Sequence, residues 1–310
     1  MPRPPAKKRA YKEITIQQLR SYGETARLGS LAAAAKSLGL TQPTVREQVM
    51  ALQADLGVKL IEPHGRGCRL TDEGSMLAEL VAPIVTSTAA LRQRFDLARG
   101  QTETRLVIAA RARVFQEDLP PAVSKFLHDR PHTRVTFLEI RDRDVPHAVE
   151  SGVADLGITP QRTPLPSLPG IRFEPAYQLE TLLVTPRHHP LAKKRTVRPD
   201  DLRRYAMLSS HHTFADEPEI VSVFGQSRVF DGPAPRVEPF LAATVRAYVE
   251  MNLGIALLYG PRVRQRKSTL HERSMSRYFG RVQMRFVLRT GSANEGLARA
   301  FAQVVQKVRD

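Results

Sequence analysis

SLAAAAKSLGLTQPTVREQVMALQADLGVKL, residues 30–60, reads as two helices joined by a tight turn. Ser30 offers a cap to the first helix, and 31–38 is almost wholly helix-forming. Gly39 stands where a helix C-terminus favours positive φ. Thr41 caps the second helix, and Pro43 falls in its first turn, where a missing N–H costs nothing. Val45, Val49, Leu52 and Leu56 recur at i, i+4, i+7 and i+11 and predict one apolar stripe. A rotation of about 100° per residue sets Pro43, Arg46, Glu47 and Met50 on the opposite side. A short helix, a tight turn and a second helix with a polar, exposed start is the helix-turn-helix arrangement, which offers that start to the DNA major groove.

The flanks extend this reading. Thr15-Ile-Gln-Gln18 has the form of a capping box. Leu19, Tyr22 and Ala26 give the helix it opens an apolar face, and Gly29 ends it; this helix braces the other two. Beyond Gly57, the runs 58–60 and 69–71 flank a Gly/Pro loop and predict a hairpin, which beside a helix-turn-helix is a wing. Its His64, Arg66 and Arg69 suit phosphate or minor-groove contact.

Residues 72–98 predict one long helix. Leu77, Ile84 and Leu91 recur every seven residues, with Leu80, Thr88 and Phe95 between them. That is a coiled-coil seam about 40 Å long, and it calls for a partner chain, hence a homodimer. The alternative is packing on its own domain. Pro83 lies inside and predicts a kink.

The 310 residues are enough for two or three domains, and 42% hydrophobic content supports real cores. A net charge of +16 favours polyanion partners, nucleic acid first, unless it serves only solubility. The single cysteine, Cys68, excludes an internal disulfide and any multi-cysteine metal site. The adjacent pairs His188-His189 and His211-His212 point apart in an extended chain, so no metal is expected. No GxSxG, P-loop or HExxH motif is present, and neither an enzyme nor a cofactor is expected. Residues 1–13 read as a disordered basic arm. No cleavable leader and no run long enough to span a membrane is seen, so a soluble cytoplasmic protein is expected.

After a polar hinge at 100–104 the rhythm becomes strand and helix in alternation. Strands are expected at 106–109, 135–138, 156–158, 179–184 and 282–288, with further candidates at Met207-Leu208, Val237 and 255–258. Helices are expected from Asp118 to Leu127 and over 145–149, 217–224, 241–251 and 295–308. Such alternation predicts a parallel sheet with ligands at the carboxyl ends of its strands.

The run QLRSYGETARLGSLAAAAKSLGLTQPTVREQVMALQADLGVKL…GRGCRLTDEG resembles the winged helix-turn-helix of LysR-type transcriptional regulators. The landmarks QL, GS, AA, QP, V, L, LG, L, R, LT and G fall in register without a gap. HHPLAKK (188–194) and MNLGIALL (251–258) are similar to landmarks of that family's effector domain, a two-lobed fold like the periplasmic binding proteins. The resemblance implies a multidomain α+β and α/β chain: a winged helix-turn-helix over 14–71 and a linker helix over 72–99. A two-lobed effector domain follows, with 105–176 and 277–310 as lobe I and 177–276 as lobe II.

The same resemblance implies DNA reading by Gln42, Pro43, Thr44, Arg46 and Glu47, with Arg66 in the wing. Arg46 and Glu47 depart from the small hydroxyl and basic residue usual there, and Pro63 replaces a frequent wing arginine, so the base sequence read does not transfer. Arg46 fits a guanine edge and Glu47 a cytosine amine; alternatively Glu47 pairs with a nearby cation.

For the effector, the resemblance maps one loop onto Ala110-Arg-Ala-Arg113, another onto Thr159-Pro-Gln161 and a facing one onto Ser209-Ser-His-His-Thr213. Arg111 and Arg113, with Thr159, Gln161, Ser209, Ser210 and Thr213, suit a small anionic effector held by paired guanidinium hydrogen bonds. The alternative is that an arginine faces solvent or closes a salt bridge between lobes. The implied function is a promoter-binding regulator gated by a small molecule, working with RNA polymerase as a homodimer or homotetramer. The rivals are a constitutive DNA-binding protein with a vestigial pocket and a solute-binding protein.

Overall fold

The computed structural model describes residues 14–65, 67–99, 104–161, 168–208, 233, 237, 242–260 and 269–309. The chain divides into two compact units, one of residues 1–102 with 167–171 and 289–295, the other of 103–166, 172–288 and 296–310.

The first unit opens with α1 (Ile16–Leu28), α2 (Leu31–Leu38) and α3 (Gln42–Leu56). Each boundary has a local cause. Thr15 and Gln18 form a complete capping box, Ser30 and Thr41 accept from first-turn amides, and Gly29, Gly39 and Gly57 end the three helices in the left-handed region. Losing one such N-cap costs about 1 kcal/mol. A hairpin of β1 (Ile61–His64) and β2 (Gly67–Leu70) follows, with Ile61 opposite Leu70 and His64 opposite Gly67. Then come α4 (Asp72–Ala89) and α5 (Leu91–Ala98).

Tyr22, Ala34, Ala35, Val45, Val49, Leu52 and Leu60 pack with Ala78 and Val81 of α4 into one core. The Tyr22 hydroxyl donates to the Gly74 carbonyl at 2.5 Å, and burial pushes this phenol up to about 12. A Cβ at Gly74 would run into the Leu60 carbonyl, so α4 reaches the core only with glycine there. The apolar stripe of α3 is one residue shorter than expected: Leu56 lies exposed at the last turn.

The expected single helix over 72–98 is interrupted at Ala90, and the helix continues through Pro83. The break is slight: Ala90 keeps helical dihedrals, its amide donates to the Thr86 carbonyl and its carbonyl accepts from the Arg94 amide. Ser87 donates to the Gly291 carbonyl, and Arg94 donates to the carbonyls of Gly291 and Ser292, so both sides of Ala90 are tied to the 289–295 segment. The expected seam also shifts. Leu77 packs on the core, while Met76, Leu80, Ile84, Leu91 and Phe95 form the exposed apolar series.

In the second unit a seven-stranded sheet has the order β4-β3-β5-β9-β6-β7, with β8 paired to β6. Its strands are β3 (Thr104–Ala110), β4 (Thr133–Glu139), β5 (Leu156–Pro160), β6 (Ile171–Pro186), β7 (Ala256–Gly260), β8 (Leu270–Ser274) and β9 (Arg281–Arg289). The described helices are α6 (Pro120–Asp129), α7 (Val145–Glu150), α8 (Pro190–Lys193), α9 (Pro199–Leu202), α10 (Ala242–Glu250), α11 (Ser276–Phe279) and α12 (Glu295–Arg309). Only β4, β3 and β5 run parallel; β9 is antiparallel to β5, and β6 to β7 and β8. The expected parallel sheet is thus found only over β4, β3 and β5, and the rest of the sheet is mixed.

One core gathers Leu106, Ile108, Phe126, Leu156, Ile158, Phe286 and Phe301. Farther along β6 the side chains alternate: Leu183 joins a core with Leu191, Leu202 and Phe279, while Leu182 and Val184 join one with Val245 and Val249. Met207 makes only a single bridge, to Ile255, and Val237 lies in no named strand. The helix expected over 217–224 lies outside the described residues.

Candidate functional site

The start of α3 is set by the turn before it. Gly39 takes φ +66°, and Thr41 Oγ1 accepts the Thr44 amide at 3.4 Å. Val45, Val49 and Leu52 are fully buried, which leaves Gln42, Pro43, Arg46, Glu47 and Met50 exposed on the other side. Thr44 is half-buried, its hydroxyl 2.8 Å from that of Thr41. Among the described residues no ion pair engages Arg46 or Glu47. The helix therefore presents a fork of donors beside a carboxylate, and among the described residues neither has an ion-pair partner.

His64 and Arg69 are exposed on the hairpin, and Arg69 pairs with Glu62 across it. Arg66 lies outside the described residues. Gln53 is a residue that the periodicity of α3 did not single out. Its Oε1 accepts the amides of Leu60, at 2.7 Å, and Ile61, at 3.2 Å, and so ties the wing to α3. The Cys68 amide donates to the Gly29 carbonyl at 2.8 Å and ties the wing to the end of α1. Burial pushes the Cys68 thiol up, away from a reactive thiolate.

In the second unit the ends of β3, β4 and β5 meet around Asp142. Arg111 Nη1 lies 3.4 Å from the Asp142 carboxylate, and the buried Thr159 hydroxyl donates to the Asp142 carbonyl at 3.3 Å. The Arg111 side chain remains 38% exposed. Gln161 Oε1 accepts from Arg285 Nε and Nη2 at 3.1 and 2.9 Å.

Arg113 goes elsewhere. It donates to Asp118, whose carboxylate also accepts from Tyr177, at 2.7 Å, and from Arg309, at 2.6 Å. The Arg309 guanidinium lies over the Tyr177 ring, 4.8 Å from its centroid. Burial works against the Arg113 charge, but Asp118, Tyr177 and Glu117 together outweigh it and raise the guanidinium pKa. Burial, and then Asp118, hold the Tyr177 phenol well above its ordinary value. Glu117, in the π-helical turn 114–118, lies 3.5 Å from Arg246 of α10, which also pairs with Glu272 of β8. Asp118, Tyr177 and Arg309 come from stretches whose sequence carried no site signal. Ser209, Ser210 and Thr213 lie outside the described residues, as do His211 and His212.

Among the described residues no three His, Cys, Asp or Glu side chains converge on a point, and no helix is long and apolar enough to cross a membrane. His189 caps α8 by accepting the Leu191 amide and packs edge-on against Tyr205.

Residues 16–75 match the bacterial regulatory helix-turn-helix family of lysR type, and residues 99–310 match the LysR substrate binding domain. The HTH-type transcriptional regulator CysB of Burkholderia cenocepacia is 27% identical over 247 residues, 79% of this chain and 78% of that protein. SsuR, an HTH-type transcriptional regulator of the same organism, is 25% identical over 256 residues, 80% of this chain and 81% of that protein. A full-length OxyR variant from Pseudomonas aeruginosa shares the fold, with a TM-score of 0.56 at 16% identity over 95% of this chain and 98% of that one. The exposed α3 start and the two family matches, which together take in nearly the whole chain, make this protein a member of the LysR-type family: a DNA-binding transcriptional regulator with an effector-binding domain.

Proposed function

We propose that Gln42, Pro43, Thr44, Arg46 and Glu47 read promoter DNA in the major groove while His64, Arg66 and Arg69 hold adjacent phosphates. The observation that carries this reading is the exposed Arg46 and Glu47, without an ion-pair partner among the described residues, on a helix anchored by Val45, Val49 and Leu52. Arg46→Ala tests it. A base contact costs about 1–3 kcal/mol at the cognate site and little on random DNA, whereas equal losses on both would reduce Arg46 to a phosphate contact. The cognate duplex comes from genome-wide footprinting with purified protein.

The effector of this reading is a small anion held by Arg111, Thr159 and Gln161, with Ser209, Ser210 and Thr213 opposite. Arg111 supports it, since its side chain is partly exposed and its one close carboxylate is 3.4 Å away. Arg113 already gives one N–H from each terminal nitrogen to Asp118, so Arg111 is the principal clamp of this reading. Titration of the full chain with organic acids and with neutral sugars decides: tight sugar binding unchanged by Arg111→Ala ends the anion reading. Two copies pair through the exposed series on α4 and α5, and dimers associate further into a tetramer in the cytoplasm. An effector that favours one arrangement of the subunits shifts that equilibrium, and with it the access of RNA polymerase.

A further inference from the structure

The positive charge of this chain is not confined to the DNA-reading head. Residues 1–99 hold 15 Lys/Arg against nine Asp/Glu, and residues 100–310 hold 32 against 22. Within the second unit one stretch concentrates it: 187–204 carries seven Lys/Arg and two Asp.

That stretch is a folded cap. Leu191, Val197, Leu202 and Met207 bury into a core with Leu183, Ile255, Met275 and Phe279. Arg273 of β8 donates to the carbonyls of Leu191, Ala192, Lys194 and Arg195, which fixes the loop after α8 from beneath. Arg187, Lys193, Lys194, Arg195, Arg198 and Arg204 remain exposed, as does Arg277 on α11, between the buried Met275 and Phe279. Both acidic residues are already engaged. Asp201 accepts from the Arg198 amide and the Lys194 ammonium, which hold its carboxyl below the usual range, and Asp200 pairs with Arg203. Among the described residues Lys193, Arg195, Arg198, Arg204 and Arg277 have no carboxylate within ion-pair distance.

We propose that this cap, built on Lys193, Arg195, Arg198 and Arg204, is a second DNA contact that grips the phosphate backbone without reading sequence. Charge complementarity carries the choice of partner: duplex DNA presents about one negative charge per 1.7 Å, and guanidinium forks fit phosphate oxygens. The reading head tethers a duplex to the same molecule, so even a weak contact operates at high effective concentration. The inference rests on DNA binding by the head, and the test separates the two.

The full-length protein and the variant Lys193→Ala/Arg195→Ala/Arg198→Ala/Arg204→Ala are titrated with a footprinted duplex and a mixed-sequence duplex across a salt series. Wild-type binding to the footprinted duplex tests the head. For the cap, the variant's slope of log affinity against log salt is expected to fall by about 2–4, at about 0.9 per lost phosphate contact. Its affinity at low salt is expected to fall at least tenfold, equally on both duplexes. Arg141→Ala/Arg172→Ala removes two exposed charges elsewhere in the unit and is expected to leave the slope unchanged. Should the quadruple variant melt early, Lys193→Gln/Arg195→Gln alters only two exposed residues and keeps the readout, with an expected slope change of about 1–2. An unchanged slope overturns the proposal. So does an unchanged slope with lost transcriptional output, which would assign the face to an acidic protein.

Discussion

Arg113 and Asp118 close a two-bond ion pair, Nη1 to Oδ1 at 3.1 Å and Nη2 to Oδ2 at 2.8 Å, around a carboxylate with no exposed surface. Arg309 and Tyr177 complete its shell. A buried carboxylate is tolerated because each oxygen is satisfied, and removing it strands two guanidinium groups that are mostly shielded from water. Asp118→Ala is therefore expected to lower the stability of the full chain by about 3–5 kcal/mol in urea melts. A loss below about 1 kcal/mol would show that water reaches the cluster.

Glu117 sets a pH dependence of definite sign. Burial raises its carboxyl above the ordinary range, against the pull of Arg246 and Arg113. The native state then holds a proton that the unfolded chain has already lost, so stability falls as pH rises from the ordinary carboxylate value through the folded one. Glu117→Gln cannot lose that proton. The wild-type minus variant difference in unfolding free energy is expected to fall as pH rises above the ordinary carboxylate range. Subtraction cancels the opposite slopes of Glu24 and Asp201, whose carboxyls are held low. Parallel curves would refute the assignment.

The first unit was legible because its boundaries are written in single residues. Thr15, Ser30 and Thr41 cap, Gly29, Gly39 and Gly57 terminate, and the spacing of Val45, Val49 and Leu52 places the exposed start of α3. The ties from Ser87 and Arg94 were not legible, because their partners, Gly291 and Ser292, lie about 200 residues away. The Asp118 cluster was hidden for the same reason. Tyr177 and Arg309 stand 59 and 191 residues from it, and nothing local marks Asp118 as other than a helix-opening acid. The different surroundings of Arg111 and Arg113 were hidden too, since the π-helical turn after Arg113 carries Asp118 into its reach while Arg111 stays partly exposed at the strand end.

The wing depends on two anchors outside it. Gln53→Ala deprives the Leu60 and Ile61 amides of their acceptor and is expected to cost about 1–3 kcal/mol. Gly67→Ala drives a Cβ into the Gly29 carbonyl, a backbone atom that cannot swing aside, and displaces the hairpin. Both variants are expected to weaken binding to random and cognate duplexes alike, because the wing holds backbone rather than bases. Preferential loss on the cognate duplex would instead make the wing a base reader.

The two faces of α4 make opposite predictions. Ala78 and Val81 are buried in the core of the head, whereas Met76, Leu80 and Ile84 stand exposed four residues apart, with Leu91 and Phe95 continuing the series on α5. Five large apolar side chains facing water in one chain are costly unless another chain covers them. Leu80→Glu with Ile84→Glu is therefore expected to convert the oligomer to monomers in sedimentation equilibrium. The helical signal and thermal midpoint of the head stay near wild type, because neither residue touches its core. Val81→Glu is expected to do the reverse and unfold the head, since it buries a carboxylate against Tyr22 and Val49. Oligomers that persist in the double-glutamate variant would place the subunit contact elsewhere on the chain and leave the exposed series without a partner.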